Sequence, residues 1–255
     1  MIDLEKQIQS IIKGEVSSTA ETKEFYSHDA SMFELIPEVV TFPKDADDIK
    51  SIVKFVAENK SANSELSITA RSGGTCMSGG AIGNSVVIDF NKYMNAFGSG
   101  SATQASAQPG MWYRDFEKET LKYGSIMPSY PASRDLCTIG GMVANNAGGE
   151  KSLQFGKTEK FINELKVVFG DGNEYIVKPL TKPELDKKIS QGDYEGEIYR
   201  KVYELVENNY EAIKQAKPGV SKDSTCYHLW NVWDRESGIF DLTQLIIGLQ
   251  GTLGL

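Results

Sequence analysis

The chain has 255 residues, 40% of them hydrophobic and 24% charged, a normal composition for a globular protein with a proper core. A formal net charge of −8 argues against a nucleic-acid partner, whose affinity rests largely on Lys and Arg neutralising phosphates. The three cysteines (Cys76, Cys137, Cys226) are odd in number and form no C-x-x-C, which excludes a disulfide framework or a zinc finger, and the two histidines (His28, His228) cannot build a three-histidine site. No metal is expected.

No run of ~18 apolar residues crosses a membrane, although peripheral attachment stays open. The segment from Met1 to Gly14 lacks the basic start and apolar core of a signal peptide, so a cytoplasmic location is the simplest expectation. Spaced Leu4, Ile8, Ile11 and Ile12 suggest a short amphipathic helix. Val39-Val40-Thr41 reads as a strand, after which Asp45 caps a helix whose Ile49, Ile52, Val53 and Val56 recur at i, i+3, i+4 and i+7. Asp47 and Asp48 suit the dipole of its first turn. Strands at Leu66–Ala70 and Val86–Asp89 complete a β-α-β unit, and Asn95–Ser101 reads as a subdomain boundary.

A second unit opens with a strand near Thr103–Ala107. Pro109-Gly110 then turns into a helix with Tyr113, Phe116, Thr120 and Tyr123 on one stripe and Gly124 as its C-cap. Residues 163–177, with the turn Gly170-Asp171-Gly172-Asn173, read as a β-hairpin. A polar segment, Lys178–Gly196, precedes one long helix bearing Ile198, Val202, Leu205, Val206, Tyr210 and Ile213. Thr243–Gly248 reads as a strand entering a glycine-rich turn.

The stretch that organises the rest is Arg71-Ser72-Gly73-Gly74-Thr75-Cys76-Met77-Ser78-Gly79-Gly80, between two strands. Glycine at that density permits positive φ and close backbone approach to a ligand, and successive N–H groups there form a nest for phosphate. Arg71, Thr75 and Ser78 could add donors. A second run of small residues, Cys137 to Gly149, follows Pro128-Ser129-Tyr130-Pro131. Two backbone-exposing segments about sixty residues apart suit a long, phosphate-bearing ligand. Familiar nucleotide fingerprints are absent: no G-x-G-x-x-G follows a strand, and Gly156-Lys157-Thr158 lacks a P-loop's earlier glycine, its place being taken by Lys151.

These two stretches, with Val167–Gly172 and Gly248–Gly254, resemble the FAD-binding (PCMH-type) domain of the vanillyl-alcohol-oxidase-type flavoproteins, most of all the FAD-linked D-lactate, glycolate and D-2-hydroxyacid dehydrogenases. The resemblance runs from about Pro37 to Leu255. It implies an α+β fold of two FAD-binding subdomains, residues 37–98 and 99–255, after a lead-in of residues 1–36. Because proteins of this family continue beyond such a motif, a substrate domain is expected outside this chain.

The resemblance further implies that Arg71, Ser72, Gly73, Gly74, Thr75, Cys76, Ser78 and Gly79 surround the FAD pyrophosphate. It places Pro128 and Ser129 beside the flavin ring, and Thr138, Ile139, Gly140, Gly141, Ala144, Asn145, Gly148 and Gly149 along the rest of the cofactor, with Ile162 at the adenine. Members with covalent flavin carry a histidine at about Thr75 or a cysteine near position 136. Here Thr75 and Leu136 stand there, so the FAD is expected to be non-covalent and Cys137 a packing residue. Gly251 and Thr252 match a Gly-Ser-Glu-Gly-Thr motif in which Leu249 and Gln250 replace Ser and Glu.

Arg71 and Arg134 are candidates for phosphate or the flavin carbonyl edge. Tyr227-His228-Leu229-Trp230 looks structural rather than catalytic, and His28 weaker still. The implied function is oxidation of a small 2-hydroxy acid by hydride transfer to flavin, with an unidentified electron acceptor. The base, the carboxylate-binding arginine and any metal ligands are expected outside this chain, so no catalytic residue is assigned. Alternatives are a sugar or other alcohol oxidase on the same scaffold, or a flavin-binding subunit without chemistry of its own.

Overall fold

The computed structural model describes residues 3–220 and 223–255. A short helix, α1 (Leu4–Gln9), and strand β1 (Glu15–Ser17) lead through α2 (Ala20–Tyr26) to β2 (Val39–Phe42), α3 (Ala46–Asn59), β3 (Ile68–Arg71) and β4 (Val86–Asp89). The four strands form one sheet in the order β1-β2-β4-β3; β2 and β3 run parallel to β4, and β1 is antiparallel to β2. Both central strands are buried throughout, which is why each reads as an unbroken apolar run rather than an alternation. Ile49, Ile52, Val53 and Val56 of α3 pack on Val39, Val86 and Ile88, joined by Leu4, Ile8 and Ile12, while Val40, Phe42 and Val87 fill the other face. Ile11 is exposed, so the helical stripe is narrower than its spacing suggests.

As expected, Asp45 caps α3, accepting the N–H groups of Asp47 and Asp48. Asp48 has a further role. It is 2% exposed and accepts N–H from Lys13 (2.8 Å), Gly14 (2.9 Å) and Lys44 (2.9 Å), tying the N-terminal segment to the helix.

The Asn95–Ser101 stretch contains a strand: β5 (Phe97–Gly100) pairs antiparallel with β6 (Ala105–Ala107). Helix α4 (Tyr113–Leu121) buries Tyr113, Phe116 and Thr120, but Tyr123 lies past its end and is exposed. Gly124, at φ +73°, lets the Ser125 N–H return to the Thr120 carbonyl at 3.2 Å. The small-residue run holds α5 (Ile139–Ala144), and α6 (Ser152–Phe155) follows it.

The hairpin of β7 (Leu165–Val168) and β8 (Glu174–Val177) forms in register. Val168 joins the core under α3 while Val167 faces the C-terminal core, so a two-residue period ties the two halves together. The polar segment holds β9 (Leu180–Thr181) and α7 (Lys182–Ile189), the latter started by a Thr181/Glu184 capping box with proline in the first turn. The long helix is two, α8 (Tyr194–Asn208) and α9 (Tyr210–Gln215), broken at Asn209 (φ −117°, ψ 19°), and Leu205 is exposed. Short strands β10 (Trp233–Asp234) and β11 (Ile239–Phe240) complete a sheet with β9. Thr243–Ile246 is helix α10, not a strand; a brief apolar run does not separate the two by period, and the Asp241 carboxylate accepting the Thr243 N–H starts the turn. The last residue, Leu255, exchanges both backbone hydrogen bonds with Val168.

Replacing Asp48 by Ala leaves three buried or half-buried amides without their acceptor. The expected cost is about 2–3 kcal/mol, read as a lower midpoint in urea unfolding.

Candidate functional site

A large cleft of about 1670 Å³ runs between the first sheet, the β5–β6 hairpin, α5 and β7. Its size exceeds the usual ~300–1,000 Å³ of small-molecule pockets, as an elongated ligand requires. The glycine-rich loop leaves β3 along one wall, and α5 faces it. They meet backbone to backbone: a Cβ on Gly73 would stand 2.3 Å from the Leu136 carbonyl oxygen, and one on Gly141 at 3.5 Å from Ser72 Cβ. Gly140 presses on Pro109 in the same way, 2.9 Å from that carbonyl oxygen.

Among the described residues, the N–H groups of residues 72–77 have no acceptor within the protein. Six consecutive free donors in a loop with Gly74 at φ +64° make a nest for an anion. Further along, Ser78 and Gly80 donate instead to Cys76 Sγ at 3.4 and 3.3 Å, which closes the loop on itself. On the facing wall Ile139 and Gly140 donate to the carbonyls of Met111 and Pro109, while among the described residues the N–H groups of Thr138 and Gly141 have no acceptor within the protein. That wall offers small surfaces. Thr138 is fully buried, lines the cleft, and its Oγ1 has no partner.

Ser72, Gly73, Gly74, Thr75, Cys76 and Ser78 of the first loop line the cleft, with Thr138, Ile139, Gly140, Gly141, Ala144 and Asn145 of the second, and Ile162. Six other predicted residues stand off its wall. Arg71 is 8% exposed and turned beneath the loop, its Nη1 donating to the carbonyls of His28 (2.6 Å) and Ala81 (3.2 Å). Gly79 packs on Phe33 of the N-terminal segment. Pro128 lies half-buried behind Ser129, whose hydroxyl faces Thr158 Oγ1 at 3.4 Å in the interior. Gly148 is small because Ser152 and Lys157 crowd it, and Gly149 because the Tyr130 carbonyl oxygen lies 2.2 Å from a Cβ there. Their smallness serves protein packing.

Arg134 stacks over Tyr130 at 4.4 Å beside Glu117 and is likewise off the wall. His228 is buried, stacked on Trp230 at 5.1 Å, with Nε2 3.0 Å from the Thr225 carbonyl oxygen, a structural setting. His28 sits half-exposed near Glu34. Cys137 is buried with Tyr113, Tyr130, Met142 and Ala147, and burial lifts its thiol from 9.0 to about 11.

The C-terminal turn closes the site in a way that composition did not signal. Gly248 and Gln250 donate N–H to the carbonyls of Val143 and Ala144 at the end of α5, and Gln250 Nε2 donates to Asn145 Oδ1 at 2.9 Å. Gln250 and Gly251 line the cleft, and Gln250 holds φ +54°. At the position where the motif carries Glu, the Gln250 amide thus makes a polar contact within the protein.

An α+β fold whose large cleft is lined by unpaired backbone amides suits a long, phosphate-bearing ligand and is not of the Rossmann class. The model of a family described as FAD binding domain matches residues 37–177, more than half of the chain. The chain belongs to this FAD-binding family, and its fold is of the PCMH/vanillyl-alcohol-oxidase type. It is 26% identical over 98% of its length to D-2-hydroxyglutarate dehydrogenase of Pseudomonas putida, covering 25% of that protein. To the Escherichia coli enzyme of the same name it is 27% identical, again over 98% of this chain and 25% of the other. Glycolate oxidase subunit GlcD of Bacillus subtilis is 29% identical over 58% of this chain and 31% of its own. The chain thus spans about a quarter of the length of the hydroxyglutarate dehydrogenases. Among solved structures, 6-hydroxy-D-nicotine oxidase of Arthrobacter nicotinovorans superimposes with a TM-score of 0.57 at 21% identity, over 66% of this chain and 36% of that one. No helix among the described residues is long and apolar enough to cross a membrane.

Two glycine substitutions separate the roles. Gly73→Ala drives a Cβ into the Leu136 carbonyl and is expected to cost about 1–3 kcal/mol in thermal or urea unfolding. Gly141→Ala meets only ordinary contacts, so stability holds while FAD titration shows weakened binding. At Cys137 the folded chain keeps its proton where the unfolded chain loses it, so the stability it contributes falls as pH rises from 9 toward about 11. Comparing urea midpoints of wild type and Cys137→Ala across that range measures it, and iodoacetamide at pH 8 is expected to modify Cys137 only in denaturant.

Proposed function

We propose that this domain binds FAD without a covalent bond and serves an oxidoreductase acting on a small 2-hydroxy acid. The observation that carries the reading is the run of six unpaired amides at residues 72–77, in a loop that lines a cleft of dinucleotide size. The amides suit the diphosphate. The glycine surfaces of α5 suit a narrow ribityl chain and a flat ring, and the Ile162 backbone suits the adenine end. Thr138 Oγ1, buried in the wall without a partner, is a hydrogen-bonding group that folding alone leaves unsatisfied. The proposed contacts are thus the cleft-lining members of the two loops; Arg71, Gly79, Pro128, Ser129, Gly148 and Gly149 shape the walls behind them.

Non-covalent attachment is supported by side-chain chemistry. Thr75 carries no nucleophilic nitrogen, Leu136 no sulfur, and the Cys137 thiol is buried and held protonated. The redox chemistry is the cofactor's own, acceptance of a hydride from the substrate α-carbon; the domain holds and orients the group and excludes water from its buried parts.

The 2-hydroxy-acid class is supported by the names of relatives that match nearly the whole chain. Among the described residues of the cleft wall, Lys166 is the one cation. The anchor for a substrate carboxylate and the base for its hydroxyl are therefore proposed to come from outside these 255 residues. Division at residues 98/99 into two FAD-binding subdomains, and a cytoplasmic location, belong to the same proposal.

The test is a visible spectrum of the purified chain after FAD loading and desalting. A retained band between roughly 370 and 450 nm, released entirely into the filtrate by denaturant, is the expected result. A colourless protein, also when full-length, sinks the cofactor reading; colour that stays with the denatured chain sinks the non-covalent one.

A further inference from the structure

The N-terminal segment that backs the glycine-rich loop carries an apolar surface of its own. Helix α2 buries none of its residues, and Phe25 near its end is 70% exposed. The chain then doubles back: His28 bridges Glu34 antiparallel, and the Leu35 N–H donates to the Ser27 carbonyl at 3.0 Å. The arm bearing Phe25 thus runs beside the arm bearing Phe33, Leu35 and Ile36, all exposed, with Met32 92% exposed in the turn between them. That turn is fixed to the loop. The Ala30 N–H donates to the Gly74 carbonyl at 3.1 Å, and Phe33 Cδ2 lies 3.2 Å from where a Cβ on Gly79 would stand. Two residues before Gly79, Met77 is 81% exposed and lines the cleft, which carries the apolar surface to the cleft wall.

Met32, Phe33, Leu35 and Ile36 all face water within a five-residue stretch, and contiguous exposure of this kind marks an interaction surface. The charge around it narrows what covers it. Between residues 20 and 38 stand Glu21, Glu24, Asp29, Glu34 and Glu38 against one lysine, Lys23. A second copy seated here by two-fold symmetry sets this acidic rim against itself, and an anionic membrane surface selects basic segments. An apolar face edged with Lys and Arg is complementary. The cleft calls for the same chemistry: Lys166 is the one cation of its wall among the described residues, so positive charge for a substrate carboxylate has to be brought to it. This chain covers 25% of each hydroxyglutarate dehydrogenase that it matches over nearly its whole length, and such proteins have ample further polypeptide to supply that face.

We propose that residues 25–36, with Met77, are the seat for a basic, apolar face of the remaining part of the full-length protein, which covers this surface and brings the carboxylate anchor to the mouth of the cleft. The inference rests on the reading that the anchor lies outside these 255 residues and adds to it the place where the body carrying it sits. Burial of the apolar side chains supplies the affinity, and the acidic rim fixes the sign of charge on the face that docks.

The two exposed methionines are built-in probes. The full-length protein, with and without FAD, is treated with dilute hydrogen peroxide, and sulfoxide at Met32 and Met77 is followed by peptide mapping. Buried Met111 and Met142 and the urea-unfolded protein serve as references. Met32 is expected to oxidise about tenfold or more slowly than in the unfolded protein, with or without FAD and at every protein concentration. Oxidation of Met32 at the unfolded rate overturns the proposal. So does protection that is lost on dilution, which identifies a second copy as the occupant. The charge is tested in the double variant Glu24→Lys/Glu38→Lys, where repulsion of a basic face is expected to raise Met32 oxidation several-fold; an unchanged rate overturns the basic character of that face. Should the variant fail to fold, the wild-type measurement decides alone. A protein that takes up no FAD yet protects Met32 refutes the cofactor reading and supports the seat, so the two failures are distinct.

Discussion

The whole arrangement depends on backbone meeting backbone at Gly73 and Leu136. With only a hydrogen on Gly73, the loop leaving β3 lies against the segment that enters α5, and a Cβ would intrude to 2.3 Å. Gly110 repeats the device against the Phe90 carbonyl at 2.0 Å, and Gly140 against Pro109. Side chains at these points would hold the two halves apart and open the cleft to water. The amides of residues 72–77 in this loop have no acceptor within the protein, the hydrogen-bonding capacity on which the proposed ligand contacts rest.

Rigidity behind the loop comes from the N-terminal segment. The Ala30 N–H donates to the Gly74 carbonyl, Arg71 reaches the His28 carbonyl, and Gly79 packs on Phe33. The loop is therefore held on its outer side by residues before β2 and is free only on the side facing α5. On the other half, the turn at Gly248–Gly251 is stitched to the end of α5, and Leu255 to Val168. The Val167/Val168 alternation then makes β7 part of both cores. Displacing β7 would disturb the helix α3 face and the C-terminal layer together.

Much of this was visible in the residues. The Ile49/Ile52/Val53/Val56 spacing predicted the buried stripe of α3, and Asp45 its start, because periodicity and capping are local properties. The density of glycine between β3 and β4, and again after Cys137, marked both walls of the cleft. Less visible were α7, although Thr181 and Glu184 carried its capping signal, and the break at Asn209, which no proline or glycine announces. Thr243–Ile246 was misread as strand because Leu-Ile-Ile suits either form and the Asp241 side chain decided it.

Amino-acid order alone established the α+β class, the two glycine-rich segments and the lack of a nucleophile at positions 75 and 136, since each is a matter of local chemistry. Which small residues line the cleft and which face protein was settled only in three dimensions. Gly141 and Gly149 are alike in composition, yet one lines the cleft and the other sits under the Tyr130 carbonyl. Arg71 follows the same logic: a cation beside an anion nest suggests contact, but burial under Gly74 directs its hydrogen bonds away from the cleft. Sequence records what a residue can donate, whereas its direction depends on neighbours brought from forty or more positions away, as His28 is to Arg71.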